Sequence, residues 1–177
     1  MGLSAVLHSL DKRTFDQLAA DPASFKYYRV AVASASFDKT FEGLQFVLCK
    51  AKPAAADLLS RLFYPLLFVG EELDYAHLDW DNLPPDAPLD GTAVYYHDPA
   101  TVQALATHVA TITDPDVRHA FDPDELNREG IYPEIWNREA DANNGFNEHA
   151  LVEEFHYLQQ FLAQASAGGH YCVCYVG

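Results

Sequence analysis

The sequence is poor in basic residues and cysteine, and it has no long apolar run. Its 11 lysines and arginines face 26 aspartates and glutamates, which leaves a formal net charge of −15 over 177 residues. Nucleic-acid binding through phosphates needs a basic face, and an anionic membrane surface would repel this chain. No apolar run approaches the length of a membrane span. We therefore expect neither nucleic acid nor a membrane as a partner, and a basic protein or cationic ligand fits the charge better.

The three cysteines are Cys49, Cys172 and Cys174. An odd, small number suits a reducing cytoplasm better than a disulfide scaffold. The first residues lack the charged start and apolar run of a signal peptide, so we expect a cytoplasmic protein. The sequence also lacks a glycine-flanked serine elbow and a glycine-rich phosphate loop. We therefore expect no cofactor and have no signature from which to assign catalysis, although eight histidines leave acid–base chemistry open.

The apolar patterning predicts one α+β domain over residues 1–177. Strands are expected over residues 3–10, 92–97 and 170–176, with residues 27–37 a strand or extended linker and residues 66–69 a buried strand or helix end. Helices are expected over residues 11–20, 38–48, 54–63, 99–112 and 148–165. Asp11 and Asp38 are the expected caps of the first two, Asp98-Pro99 opens the fourth, and Asp114-Pro115 opens a short turn. Residues 141–147 have loop composition. The last strand is apolar on both faces, which indicates a central position in a small, mostly antiparallel or mixed sheet packed against several helices.

Residues 121–136, FDPDELNREGIYPEIW, have the most specific local pattern. Asp122 and Pro123 form the N-cap and first position of a helix, and Gly130 ends it. Tyr132-Pro133 and Trp136 then direct the chain toward the last long helix. The stretch therefore predicts a capped helix followed by an aromatic anchor.

With this stretch, the whole chain resembles the YfbM-like family of uncharacterised bacterial proteins. The similarity also includes the Met-Gly start, the segment DKTFEGLQFVL from Asp38 and the apolar C-terminal strand. The resemblance implies an α+β fold and a bacterial cytosolic setting, and it implies no reaction. Two departures stand out, since the family usually has tryptophan at Phe41 and His-type residues at Glu42 or Gln45. A ligand site formed there in relatives would be altered in this chain.

His149, Glu153 and His156 share one face of the last helix and are candidate metal ligands. The apolar residues of that helix lie on the opposite face, whereas metal sites in helix bundles face inward. A solvated polar stripe is therefore the favoured interpretation, and we predict no metal.

Cys172 and Cys174 lie on one side of a strand, and without a second cysteine pair they are expected to be buried, inert thiols.

Two functions of different class remain. The first is a non-enzymatic acidic protein that binds a protein partner of basic character, as an inhibitor or immunity-type protein would. The acidic, proline-rich residues 71–91 are the expected contact, and the candidate residues are Glu71, Glu72, Asp74, Asp79 and Asp81.

The alternative is a small-molecule-binding protein or enzyme with an aromatic-lined pocket near Tyr132 and Trp136. The candidate ligand-binding residues are Tyr132, Trp136, Phe41 and Lys39. Packing in the turn is the simpler explanation for the two aromatics.

Overall fold

A computed structural model of the chain describes residues 2–73, 82, 91–138 and 145–177. Within these ranges it is a single α+β domain with one open five-stranded sheet. The strands are β1 (Ala5–Leu10), β2 (Ala33–Phe37), β3 (Leu67–Val69), β4 (Val94–His97) and β5 (Tyr171–Val176). The seven α-helices in the described part are α1 (Lys12–Ala20), α2 (Phe41–Ala51), α3 (Ala56–Leu59), α4 (Pro99–Ala110), α5 (Asp114–Ala120), α6 (Pro123–Arg128) and α7 (Glu148–Ala167). Short 3-10 turns form at Tyr27–Arg29 and Pro53–Ala55.

The sheet has the order β2-β1-β5-β4-β3, and all the pairings are antiparallel. The α+β expectation and the central position of the C-terminal strand are both confirmed. Alternate residues of β5 enter different cores: Val173 packs with Leu10 and Phe15 beneath α1, while Cys172 and Cys174 join the main core with α2, α4 and α7. Apolar residues on both faces of β5 therefore reflect helices on both sides of the sheet.

Three aspartates begin helices as the sequence predicts. Asp11 accepts a hydrogen bond from the Thr14 amide at 2.7 Å, and Asp98 accepts one from the Thr101 amide at 2.7 Å. Asp122 starts α6 and accepts from the Asp124 amide. Each side chain satisfies an amide that the first helical turn leaves without a backbone partner.

Two helix starts differ from the sequence prediction. Asp38 is exposed and does not cap α2, because the N-cap position belongs to Thr40, two residues later. The predicted turn at Asp114 is a seven-residue helix, and its N-cap is Thr113. Thr113 and Asp116 form a reciprocal capping box that stabilises this short helix.

The predicted helix over residues 54–63 is confirmed only over Ala56–Leu59, and its predicted continuation to residue 63 was wrong. Helix α3 ends at Leu59, and the chain then makes tight turns in which the Leu62 and Tyr64 amides donate to carbonyls three residues earlier. These turns place Leu62 and Phe63 in the core, where Phe63 contacts Phe37 edge-on at 5.2 Å between ring centroids. Burial of these two side chains outweighs the continuation of a helix.

Strand β3 is an edge strand, and its Leu67 and Phe68 side chains are exposed. Of the two alternatives for residues 66–69, the strand is therefore confirmed, but its expected burial was wrong. Residues 27–37 divide into a 3-10 turn over Tyr27–Arg29 and the strand β2 over Ala33–Phe37. The strand alternative is therefore confirmed for the second half, while the turn matches neither a strand nor an extended linker. In the predicted loop over residues 141–147, residues 141–144 lie outside the described part of the chain.

Candidate functional site

Trp136 is a core residue. It is 3% exposed, and its indole nitrogen donates to the Ile131 carbonyl at 2.9 Å. The Asn127 side chain holds the backbone of Trp136 through two hydrogen bonds of 2.9 Å, one to its amide and one to its carbonyl. The six-membered edge of the indole lies directly against Gly43 of α2, where a side chain would overlap it. The aromatic anchor after α6 therefore fastens the turn to α2.

Tyr132 ties three separate segments together. Its hydroxyl accepts a hydrogen bond from the Leu3 amide at 3.1 Å, and its own amide donates to Glu42 at 3.3 Å. The second oxygen of Glu42 accepts from the Tyr64 hydroxyl at 3.0 Å. Burial, followed by the hydrogen bond to this carboxylate, raises the pKa of Tyr64 to about 12. The Tyr132–Pro133 peptide bond in this turn is cis.

Of the four candidate ligand-binding residues, Lys39 lines a cleft of the described structure. Phe41 is fully buried, and Trp136 has almost no accessible surface. Tyr132 is partly buried and uses its polar groups within the protein. Lys39 is the residue from this set with a side chain on a concave surface.

The cleft with Lys39, named the Thr40–Glu154 cleft after two residues of its lining, lies between the loop that joins β2 to α2 and the start of α7. Its volume is about 540 Å³. The lining residues are Asp38, Lys39, Thr40, Gly145, Phe146, Ala150, Glu153, Glu154 and Tyr157. Three of them are carboxylates and one is a cation, so the cleft carries the acidic character of the whole chain.

Glu154 is the most perturbed carboxylate in the described structure. The Thr40 hydroxyl donates to its Oε1 at 2.5 Å, while its Oε2 is buried and has no hydrogen-bond partner among the described residues. Burial raises the pKa of Glu154 to about 7, the charge of Asp38 adds to this rise, and the Thr40 hydroxyl opposes it. A carboxyl group that titrates near neutral pH in a cleft is a candidate for proton-linked chemistry or binding.

The sequence analysis missed Glu154 and Thr40. The spacing of residues in α7 could have identified Glu154. It is three residues after Leu151 and four before Leu158, and both leucines are buried. Glu154 therefore lies at the margin of the apolar stripe, where a carboxylate is partly desolvated. Its partner Thr40 is 114 positions away, and no local pattern connects the two.

The polar stripe of α7 faces solvent, as expected. His149 and Glu153 are exposed and approach to 3.4 Å, while His156 bonds to Asp114 at 2.6 Å. No group of three potential ligands occurs among residues 2–73, 82, 91–138 and 145–177. His156 is thus engaged by α5 rather than by its two neighbours on the stripe.

Two of the candidate partner-binding residues lie in the described structure. The Glu71 backbone bonds to Thr92 beside β4, and the Tyr95 hydroxyl donates to the Glu72 side chain. Asp74, Asp79 and Asp81 lie outside the described residues. The described part of the acidic segment is therefore joined to the sheet at its two ends.

The three cysteines are free thiols. Cys172 and Cys174 are buried in the main core, as expected, and burial raises the pKa of Cys174. Burial also raises the pKa of Cys49, whose thiol donates to the Ala56 carbonyl. Thiols with raised pKa values are poor nucleophiles, so neither Cys49 nor Cys174 marks a reactive site. Cys172 lies in the core beside Cys174, where a thiol packs as a small apolar group.

A second cleft, of about 570 Å³, lies between the segment after α1 and the ends of β4 and β5. Its lining among the described residues contains tyrosines, small residues and backbone, but no carboxylate, ammonium or imidazole. The Thr40–Glu154 cleft is therefore the more informative of the two chemically.

No helix in the described ranges is both long enough and apolar enough to cross a bilayer.

Comparisons with known proteins give a family and a fold. The solved structure of YfbM from Escherichia coli, described as a protein of unknown function, is similar with a TM-score of 0.62. The match covers 98% of this chain and 99% of that one at 15% sequence identity. At this level of identity, the similarity shows a shared fold and does not extend to function. No curated protein matches the sequence. The family model described as a domain of unknown function, DUF1877, matches residues 1–175, and the chain therefore belongs to that family.

Proposed function

We propose that this protein is a non-enzymatic cytoplasmic binding protein for a basic protein partner, and that a lysine or arginine side chain of the partner enters the Thr40–Glu154 cleft. The observation that carries the proposal is the Glu154 carboxylate, which lines the cleft beside Asp38 and has one oxygen without a donor. A buried acceptor without a donor costs free energy, which an incoming N–H group can recover. Lysine and arginine supply such donors together with a positive charge.

The charge of the whole chain supports the same class of partner. A formal charge of −15 attracts a basic protein over long range and accelerates its association. Several cations of the described surface are already paired, such as Lys50 with Glu125 and Arg118 with Glu148. The carboxylates of the cleft, by contrast, share its lining with a single ammonium group among the described residues, that of Lys39.

Lys39 limits what the cleft binds. Its positive charge opposes the binding of a cation, so the affinity depends on whether the three carboxylates of the lining outweigh it. An anionic ligand would reverse this relation, since Lys39 would then attract it and Asp38 would repel it. The sign of the Lys39 effect therefore separates the two kinds of ligand.

The first test uses a defined probe. Fluorescein-labelled tetralysine is titrated with the protein at low and at high salt, and binding is followed by fluorescence anisotropy. We expect saturable binding that weakens with salt, because the attraction between exposed charges is screened. Labelled tetraglutamate should not bind under the same conditions.

Two variants then locate the binding site. Glu154→Gln removes the charge inside the cleft, and Asp57→Asn removes one exposed charge on α3, away from the cleft. We expect Glu154→Gln to weaken tetralysine binding several-fold more than Asp57→Asn does. Equal effects of the two variants would mean that only the net charge matters, and the cleft would lose its assigned role.

The segment that contains Glu71 and Glu72 remains a second predicted contact for the same partner. A variant with both residues changed to glutamine tests it in the tetralysine assay. A loss larger than that of Glu154→Gln would move the main contact from the cleft to this segment.

A small cationic molecule is the second candidate ligand. The cleft volume of about 540 Å³ falls within the usual range of small-molecule sites, and Phe146 and Tyr157 supply aromatic walls. Aromatic faces attract ammonium groups. A thermal-shift panel of linear diamines, polyamines and guanidino compounds tests this candidate, because a ligand that binds only the folded state raises Tm. A uniform absence of shifts would remove it.

A further inference from the structure

We propose that a cationic group which occupies the Thr40–Glu154 cleft displaces a proton from Glu154, so that binding and proton release are coupled. This inference rests on the proposed function and specifies how the same site is regulated. Binding would then tighten as pH rises through neutrality. The cleft would act as a proton-for-cation exchanger.

The two oxygens of Glu154 have unequal surroundings. Oε1 accepts the hydrogen of the Thr40 hydroxyl at 2.5 Å, and Oε2 has no partner in the described structure. One donor is too little for a buried carboxylate, whose charge requires compensation by hydrogen bonds or a cation. Without a bound cation, a proton on the carboxyl group provides that compensation.

Among the described residues, the titratable groups that line the cleft around Glu154 belong to two elements. The loop before α2 contributes Asp38 and Lys39, and α7 contributes Glu153 and the Tyr157 hydroxyl. Burial disfavours the ionised form of Glu154, and the charge of Asp38 disfavours it further, which together raise the pKa to about 7 against the opposing Thr40 hydrogen bond. An arriving ammonium or guanidinium group has the opposite effect on the carboxylate.

The exchange balances in atoms and charge. The neutral carboxylic acid of Glu154 loses its proton to solvent, and the resulting carboxylate forms a hydrogen-bonded ion pair with the cation. Because Oε2 is buried, the incoming group has to turn the carboxyl toward the cleft. The Thr40 hydroxyl remains as a donor that stabilises the ionised form.

The coupling is measured by two experiments on the intact protein. In the first, glutamate side chains are labelled with ¹³C at the carboxyl carbon, and Glu154→Gln identifies the Glu154 signal. In the free protein, we expect the Glu154 signal to titrate with a midpoint near pH 7. In the presence of saturating tetralysine, we expect this midpoint to be at least one pH unit lower. In the second, calorimetry at pH 7 in buffers of different ionisation enthalpy should show release of about half a proton per bound tetralysine.

The controls distinguish the possible failures. Asp57→Asn should retain proton release, and Glu154→Gln should abolish it while the fold, checked by circular dichroism, persists. Tetralysine binding without a change in the Glu154 midpoint would overturn this inference and leave the proposed function standing. A Glu154 midpoint near 4.5 in the free protein would also overturn it. Absence of tetralysine binding under all conditions would overturn both.

Discussion

Thr40 occupies the N-cap position of α2, yet its hydroxyl donates to Glu154 of α7 instead of receiving a hydrogen bond from the helix. Threonine at an N-cap ordinarily accepts from an amide of the first turn, and this contact stabilises a helix by about 1 kcal/mol. Thr113, at the start of α5, forms that ordinary contact. The helix α2 thus begins without a side-chain cap, and the hydroxyl holds a carboxylate that is 114 positions away. Local preferences yield to such long-range contacts most often at functional sites.

Thr40→Val should move the titration midpoint of Glu154 above its wild-type value. Valine has nearly the shape of threonine but removes the donor that stabilises the ionised carboxylate. The ¹³C titration described above measures the change. Thr40→Ser keeps the hydroxyl and is the matched control, which should titrate close to the wild type. A midpoint that stays unchanged in the valine variant would show that Thr40 does not influence Glu154.

Glu154→Gln should flatten the dependence of stability on pH between about 5 and 8. Folding raises the pKa of Glu154 from 4.5 to about 7, so the folded protein holds this proton more tightly than the unfolded chain does. The resulting stabilisation is complete below pH 4.5 and is lost as pH rises through 7, a change of up to about 3 kcal/mol. Urea denaturation at pH 5 and pH 8 measures the free energy of unfolding for both proteins. Parallel pH dependence in the two proteins would contradict the raised pKa.

Lys39→Met should tighten the binding of tetralysine by about two- to fivefold. The substitution removes a like charge from the cleft lining, and exposed charge pairs contribute up to about 1 kcal/mol. Lys26→Met makes the same change of charge at an exposed position outside the lining, and it should have a smaller effect. Weaker binding by Lys39→Met would favour an anionic group in the cleft.

Gly43→Ala should destabilise the protein by about 1–3 kcal/mol, because the new methyl group would overlap the Trp136 indole. The direction is informative, since alanine in place of glycine inside a helix ordinarily stabilises by about 0.5–1 kcal/mol. Gly145→Ala introduces a methyl group with no atom within 4 Å and serves as the control. Thermal or urea denaturation provides the comparison. A stabilising effect of Gly43→Ala would mean that the tryptophan can withdraw from α2.

The sequence by itself determined the features that depend on neighbouring residues. The caps at Asp11, Asp98 and Asp122 follow from a short side chain that reaches an amide two or three residues later. The two apolar faces of β5 follow from alternation along a strand, and they located this strand at the centre of the sheet. The exposed stripe of α7 likewise follows from helical periodicity.

The tertiary structure decided what depends on residues far apart in the chain. Residues 60–63 leave the helical path because Leu62 and Phe63 reach the core by turning. Trp136, a candidate ligand-binding residue by type, is buried because Gly43 leaves room for its ring. Glu154 acquires its raised pKa because folding brings α7 against Thr40 and Asp38 and removes the carboxyl group from water. Periodicity indicates which side of a helix is covered, but only the packed fold determines which groups cover it, and desolvation by those groups sets the chemistry of the cleft.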